Sequence, residues 1–533
     1  MSSSLPTSLP SSNDDKTQIQ KNEELSQVFQ VRRQPFIDGK RQPESSTASF
    51  LFTILVGVPV WLTTIVPLTA TYQIGTMLVP AARDKEKDII LSETLLSSEN
   101  FPDPSQLKPL DQRTYDVVLL GSTGFTGGLT AQYLARTYND KIKWAIAGRN
   151  KDKLNALKRK LAHDLQDTSF LDFPIITADT LNPSTLHDLV QDTRTVISTA
   201  GPFCKYGSHV VEFCARYGTS YVDITGETGW NKEMIMKWDE IAQSTGAKIV
   251  SLCGCDSIPW DLTYFKLAQL LKQECKEDMT KLRIYDTVKG GISGGTIDTM
   301  LQFLEGRYKE PRYNMDPYYK KPNGEKSSNK TKDKSPFLMK ALNGRQEEGN
   351  LWSIPWVMSS VNSEVIKRSH ALNDEGNNTV LSYEESWIHN SFKNAFMTWF
   401  GTIFAGTALL NPVTGNIMKK CVLPKPGQGP TQKQMDHGYL LLSGVGEGTN
   451  GSMVESEFYF PGDPGYKETA RMVAESGLCL ALNVNELPVQ SGGFYSPSAA
   501  MGDVLLTRLC LTGCKFASRV VRMTPHGNIQ SKL

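Results

Sequence analysis

Between residues 114 and 260, short apolar runs alternate with stretches of helical periodicity, a pattern that predicts one α/β domain built on a parallel sheet. The first run, Val117 to Leu120, has the unbroken apolar character of a strand buried on both faces. Lys143 to Gly148, Pro174 to Ala178, Thr195 to Thr199, Tyr221 to Ile224 and Lys248 to Leu252 repeat the pattern. Helices are predicted between them, over Leu129 to Arg136, Asp152 to Leu165, Val210 to Tyr217 and a segment ending at Ser244. From 261 to 500 the pattern is less regular. Leu282 to Thr287 and Tyr439 to Leu442 suggest strands, Gly295 to Gly306 suggests a helix opened by a glycine turn, and polar residues 322 to 350 suggest a mobile loop.

The first strand ends at Gly121, and glycines recur at 124 and 127 before the first helix. A strand, a glycine turn and a helix in that order let backbone approach a pyrophosphate and point free N–H groups at it. The turn residues Gly121, Ser122, Thr123, Gly124, Phe125, Thr126 and Gly127 are therefore the candidate cofactor loop of a Rossmann-type domain. The second strand of such a domain ends beside the adenosine ribose, where an acidic residue favours NAD. Here Arg149 and Lys151 follow it instead, and a guanidinium at that place suits the 2′-phosphate of NADP. Ala200, Gly201 and Pro202 close the fourth strand, where small residues let backbone reach the ribose or nicotinamide.

Outside this unit, two uncharged stretches change the picture. Ser49 to Pro80 exceeds the roughly 20 residues needed to cross a bilayer and is read as a membrane segment. It follows a Ser/Pro-rich tail, 1 to 48, expected to be disordered, and precedes a charged linker, 81 to 113. The second stretch, 394 to 418, fits a membrane-dipping helix, the wall of a lipid-accepting cleft or a core helix. Basic and acidic residues number 57 and 56, so no net field draws the chain to nucleic acid. Nine scattered cysteines do not resemble a secreted disulfide framework, and no histidine stands at ligand spacing beside the close pairs, so no metal site is expected.

The segments GSTGFTG, AGRNKDKL, STAGPFCKYG, YVDITGETGW, GCDSIPWDL, GGISGGT, PKPGQGP and GGFYSPSAAMGD occur in the order found in the saccharopine dehydrogenase-like oxidoreductases related to bacterial trans-acting enoyl reductases. The resemblance implies an NADP-type Rossmann domain, a second α+β domain covering the cofactor cleft, and a helix within 501 to 533 that returns to the first domain. It also implies association with intracellular membranes or lipid droplets. The bacterial relatives reduce a double bond during glycolipid assembly.

Hydride chemistry further needs a proton donor or an electrophilic hydrogen bond. Tyr206, just beyond the fourth strand, and Asp256 with Ser257, in the turn after the sixth, are the candidates by position. Asp223 and Glu227 end the fifth strand but also suit a helix N-terminus. Three functions stay open: an NADP-dependent oxidoreductase acting on a lipid or lipid-linked substrate, with its catalytic domain facing the cytosol; a non-catalytic dinucleotide-binding membrane or lipid-droplet protein; and a soluble amino-acid dehydrogenase of saccharopine type. A homo-oligomer is compatible with each.

Overall fold

The computed structural model describes residues 101–291, 314–342, 351–411 and 429–524, except positions 102 and 337, together with 53, 58, 414, 415 and 418. The tail, nearly all of the uncharged stretch 49–80, most of the linker and the helix expected over 295–306 lie outside the described residues. Strands β1 (Tyr115–Leu120), β2 (Trp144–Gly148), β3 (Ile175–Thr177), β4 (Thr193–Ser198), β5 (Ser220–Asp223) and β6 (Lys248–Val250) pair in the order 3-2-1-4-5-6. Every pairing among them is parallel. This is the doubly wound order, and its switch point lies between β1 and β4. The apolar runs of β1 and β4 are buried as expected, with Val117, Val118, Leu119, Val196 and Ile197 all 0% exposed, whereas β3 at the sheet edge is only half-buried. Helices α1 (Phe125–Thr137), α2 (Lys151–Leu165), α3 (Phe203–Tyr206), α4 (Ser208–Tyr217) and α5 (Thr228–Thr245) fill the connections. In α2 the buried residues are Leu154, Leu157 and Leu161, three of the four leucines that set its period.

Helix α6 (Ile258–Leu270) leads into the second sheet. Its strands are β7 (Met279–Lys289), β8 (Lys330–Asp333), β9 (Lys340–Leu342), β10 (Leu351–Ile354), β11 (Val380–His389), β12 (Tyr439–Gly448) and β13 (Met453–Phe460). Burial alternates along β12 and β13, so one face packs against α6 while the other is half open, and α7 (Ser359–Leu372) packs against β8 and β11. The polar segment expected to be a loop contains β8, which pairs in parallel with Val380–Tyr383. Its residues, Lys-Thr-Lys-Asp, pair through the backbone and bury no side chain fully, so hydrophobic patterning carries no sign of the strand. Helix α8 (Phe392–Leu410) occupies most of the second uncharged stretch. Among the described residues no helix is long and apolar enough to cross a membrane.

The chain then returns to the first sheet earlier than the sequence pattern suggests. Helix α9 (Thr469–Leu482) buries thirteen of its residues against β1, β4, β5 and α1. Buried on every side, polar residues included, it presents no amphipathic stripe by which to assign it to one domain. A Cβ on Gly477 would lie 2.4 Å from Ile197 Cγ1, so glycine lets the helix lie flat on β4. Fully buried Glu475 of the same helix accepts from the Tyr133 and Tyr138 hydroxyls and from Arg508 Nε at 2.8 Å. Strand β14 (Gly493–Tyr495) then extends the first sheet beside β6, and α10 (Pro497–Leu511) follows. The C-terminal segment expected to be only helix and tail also contains β15 (Lys515–Arg522), which pairs antiparallel with β13. Residues 464–511 thus serve the first sheet, and the domain boundary drawn at 500 does not describe the chain path.

Beneath α6 the second domain buries two carboxyl groups on one face of neighbouring strands, Asp286 on β7 and Glu385 on β11. Trp260 Nε1 donates to Asp286 Oδ1 at 3.1 Å, and Asn362 Nδ2 donates to Glu385 Oε1 at 2.8 Å. Desolvation raises Glu385 to about 8, and desolvation together with the charge of Glu385 raises Asp286 well above the carboxylate range. Folded Glu385 therefore holds its proton to about pH 8, whereas the unfolded chain releases it near 4.5. Its contribution to stability is complete below pH 4.5 and is lost as pH rises through 8. Glu385→Gln is expected to flatten this decline. Urea midpoints measured across that interval check it, and a variant that keeps the wild-type slope refutes it.

Candidate functional site

The glycine turn is shaped by contacts that leave no room for side chains. Gly121 takes φ +80°, and a Cβ there would lie 2.8 Å from the Ala200 nitrogen. A Cβ on Gly127 would lie 2.2 Å from the Gly121 oxygen and 2.7 Å from Thr199 Oγ1. The first turn of α1 is thereby pressed onto the ends of β1 and β4. Gly124 is the N-cap and offers no capping side chain, so the helix start keeps N–H groups for an anion. Ser122 is buried with its hydroxyl directed to the Ala147 carbonyl at 3.2 Å, which makes it a structural member of the turn. Thr123 and Gly124 are exposed, Thr126 accepts from the Thr130 hydroxyl through its carbonyl, and Phe125 stands at the rim.

At the end of β2, Arg149 is exposed and forms no ion pair among the described residues. Asn150 caps α2 by accepting from Lys153 N at 2.9 Å, which leaves Arg149 and exposed Lys151 to flank the helix start. A dinucleotide fits this arrangement: the turn supplies bare backbone for a pyrophosphate, and two cations flank the ribose position one strand away.

The ends of β4, β5 and β6 bring the remaining candidates to the same edge. Ala200, Gly201 and Pro202 follow β4 directly, with Ala200 against Gly121. Tyr206 ends α3, half buried, with Lys205 Nζ 5.2 Å from its ring centroid. Asp223 is fully buried and accepts from Thr225 N at 3.0 Å, Leu252 N at 3.1 Å and the Ser251 hydroxyl at 3.0 Å, tying the ends of β5 and β6 together. Desolvation nevertheless raises it to about 6. Asp256 differs: its carboxyl accepts no hydrogen bond among the described residues, and desolvation alone raises it to about 6. Ser257 is buried and donates to the Asp256 carbonyl at 2.6 Å, so it is committed locally.

Glu227, which the sequence suggests for a helix N-terminus, accepts from Phe203 N and Cys204 N, both at 2.8 Å, at the start of α3. Other contributors carry no local sequence signal. Thr469 Oγ1 on α9 accepts from Cys255 N at 3.0 Å and braces the turn holding Asp256. Asp463 accepts from Gly291 N at 2.7 Å and Tyr466 N at 2.9 Å, and the Tyr466 ring packs edge-on against Phe125, centroids 5.3 Å apart. Gly429 lies on that same Phe125 ring, where a Cβ would come within 2.4 Å. Two segments distant in the chain, around 429 and 463–466, thus reach the rim of the glycine turn.

A family model described as the saccharopine dehydrogenase NADP binding domain matches residues 117–250, the span of the six strands just described. That fold and site define the class: an NAD(P)-binding oxidoreductase. A Mycobacterium tuberculosis protein, provisionally named a trans-acting enoyl reductase, is 34% identical over 414 residues, covering 75% of this chain and 96% of that protein. The trans-acting enoyl reductase of Mycobacterium ulcerans is 32% identical over 416 residues, covering 75% and 97%. The chain belongs to the saccharopine dehydrogenase-like family that includes these reductases. Among solved structures, saccharopine dehydrogenase (L-Glu forming) from Saccharomyces cerevisiae aligns with 76% of this chain and 100% of its own, at 13% identity and a TM-score of 0.43.

Proposed function

We propose that the protein is an NADP-dependent reductase of a lipid or lipid-linked substrate, with Asp256 as its proton donor. The observation that carries this reading is the combination of a bare glycine turn, Arg149 free at the ribose position, and an unpartnered carboxyl at the end of β6. NADPH, when bound, supplies a hydride. Asp256, with a pKa of about 6, gives its proton to the neighbouring substrate atom where negative charge develops, and solvent then returns a proton to the carboxylate. Tyr206 follows β4, two strands along the sheet from β6, and in this reading orients the substrate.

The lipid part of the proposal rests on two supports. The relatives above bear the name of enoyl reductases, and the chain carries the uncharged stretch 49–80 and the apolar helix α8, on which Phe392 and Phe404 are exposed by 41% and 36%. We place the protein at an intracellular membrane or lipid-droplet surface, held there by 49–80, with the reductase domain on the cytosolic side.

Three measurements test these claims. NADPH is expected to bind more tightly than NADH, and Arg149→Ala should cost about tenfold for NADPH alone, as loss of a bidentate phosphate contact does; equal affinities in the wild type would refute the assignment. With α,β-unsaturated acyl thioesters as acceptors, Asp256→Asn should lower kcat about 10²-fold or more with NADPH affinity unchanged. Unchanged kcat would exclude Asp256 as the donor. Flotation of the full chain with liposomes should be lost on deleting 49–80, and a soluble full-length protein would end the membrane proposal.

A further inference from the structure

The segment from Ala200 to Tyr206 faces the position that a nicotinamide takes in a doubly wound sheet, and its first helical turn is held by a single side chain. Helix α3 begins after Pro202, which provides no side-chain cap, so its leading N–H groups need another acceptor. Glu227, beyond the end of β5, is 8% exposed and fills that need with both oxygens, one on Phe203 N and one on Cys204 N, each at 2.8 Å. Its own backbone is fixed in turn, since its N–H donates to Thr225 Oγ1 at 3.0 Å and its carbonyl accepts from Asn231 N at 3.0 Å.

Below this clamp, the segment rests on one tryptophan. The Phe203 and Trp230 rings pack with centroids 5.8 Å apart, Trp230 Nε1 donates to Ser208 Oγ at 3.0 Å, and a Cβ on Gly207 would come within 2.7 Å of Trp230. The segment is therefore pinned to Trp230 at its far end and to Glu227 at its near end, while Gly201 stays exposed on the cofactor side. Two charge-assisted bonds to consecutive N–H groups leave the Ala200–Pro202 backbone little freedom to move toward or away from Gly121.

We infer that Glu227 is a positioning residue of the nicotinamide half-site: through Phe203 N and Cys204 N it sets the surface on which the reactive ring lies, without touching the adenosine half. The inference rests on the NADP reading above. It predicts that loss of Glu227 weakens binding of the nicotinamide portion alone, whereas a merely structural role would affect both halves or neither.

The test compares NADPH with 2′-phospho-ADP-ribose, which lacks the nicotinamide, on the full-length protein by competitive fluorescence titration. The wild type should bind NADPH more tightly than the fragment. Glu227→Ala should leave the fragment within about twofold and weaken NADPH about tenfold, the scale expected when charge-assisted bonds to a binding surface are lost. Glu227→Gln keeps the shape and one accepting oxygen, so it should fall between the two; if Glu227→Ala does not fold, Glu227→Gln decides by the same ratio. An unchanged ratio, or an equal loss for both ligands, overturns the inference. A wild type that binds neither ligand refutes the NADP reading itself, and the inference falls with it.

Discussion

Backbone-to-backbone contact among three chain segments is the constraint on which the rest of the site depends. The Gly121 carbonyl, the Gly127 α-carbon and the Thr199–Ala200 peptide meet at distances that admit no Cβ. Because α1 is pressed against the strand ends at this point, its first N–H groups open toward the space between β1 and β4, where the topology switches. A single added methyl would push α1 away from the sheet and turn those groups aside. The cofactor position is thus a consequence of packing, and the polar residues around it act on a geometry already set.

That packing is supported from the other end of the chain. Helix α9 lies under α1, β1 and β4, and Glu475 binds two tyrosines of the α1 region and Arg508 of α10 in one buried cluster. A buried carboxylate without partners would cost several kcal/mol, so these donors act as a set. Desolvation and the Glu475 charge raise the Tyr133 and Tyr138 hydroxyls well above the usual tyrosine range, which keeps them neutral donors. The glycine turn therefore depends on residues more distant in sequence than any local motif can register.

This separation explains which features were legible in the sequence. Strands β1 and β2 carry continuous apolar runs that end at glycine, β4 carries a shorter one, and their order and cofactor turn follow from local chemistry. Arg149 is legible for the same reason, since its place one strand along from the turn is fixed by topology. The return of α10 was expected only through the family resemblance, and that of α9 is not legible, because a helix buried on all sides has no stripe to indicate what it covers. Nor is β8, whose polar side chains do not alternate in burial. The uncharged stretch 49–80, read as a membrane segment from composition alone, lies almost wholly outside the described residues.

The buried carboxyl groups show how placement, more than residue type, separates possible roles. Asp223, Glu227 and Asp256 all lie at the carboxyl ends of parallel strands, and desolvation raises each of them. Asp223 has three donors and joins β5 to β6; Glu227 has two and holds α3. A carboxylate whose lone pairs are occupied by backbone N–H groups cannot give up its place without leaving those donors buried and unpaired, so it serves geometry. Asp256 has no such commitment among the described residues and keeps part of its surface open. Its carboxyl can therefore change protonation without disturbing the strand ends, which sets it apart from its more deeply buried neighbours and supports the donor role proposed for it.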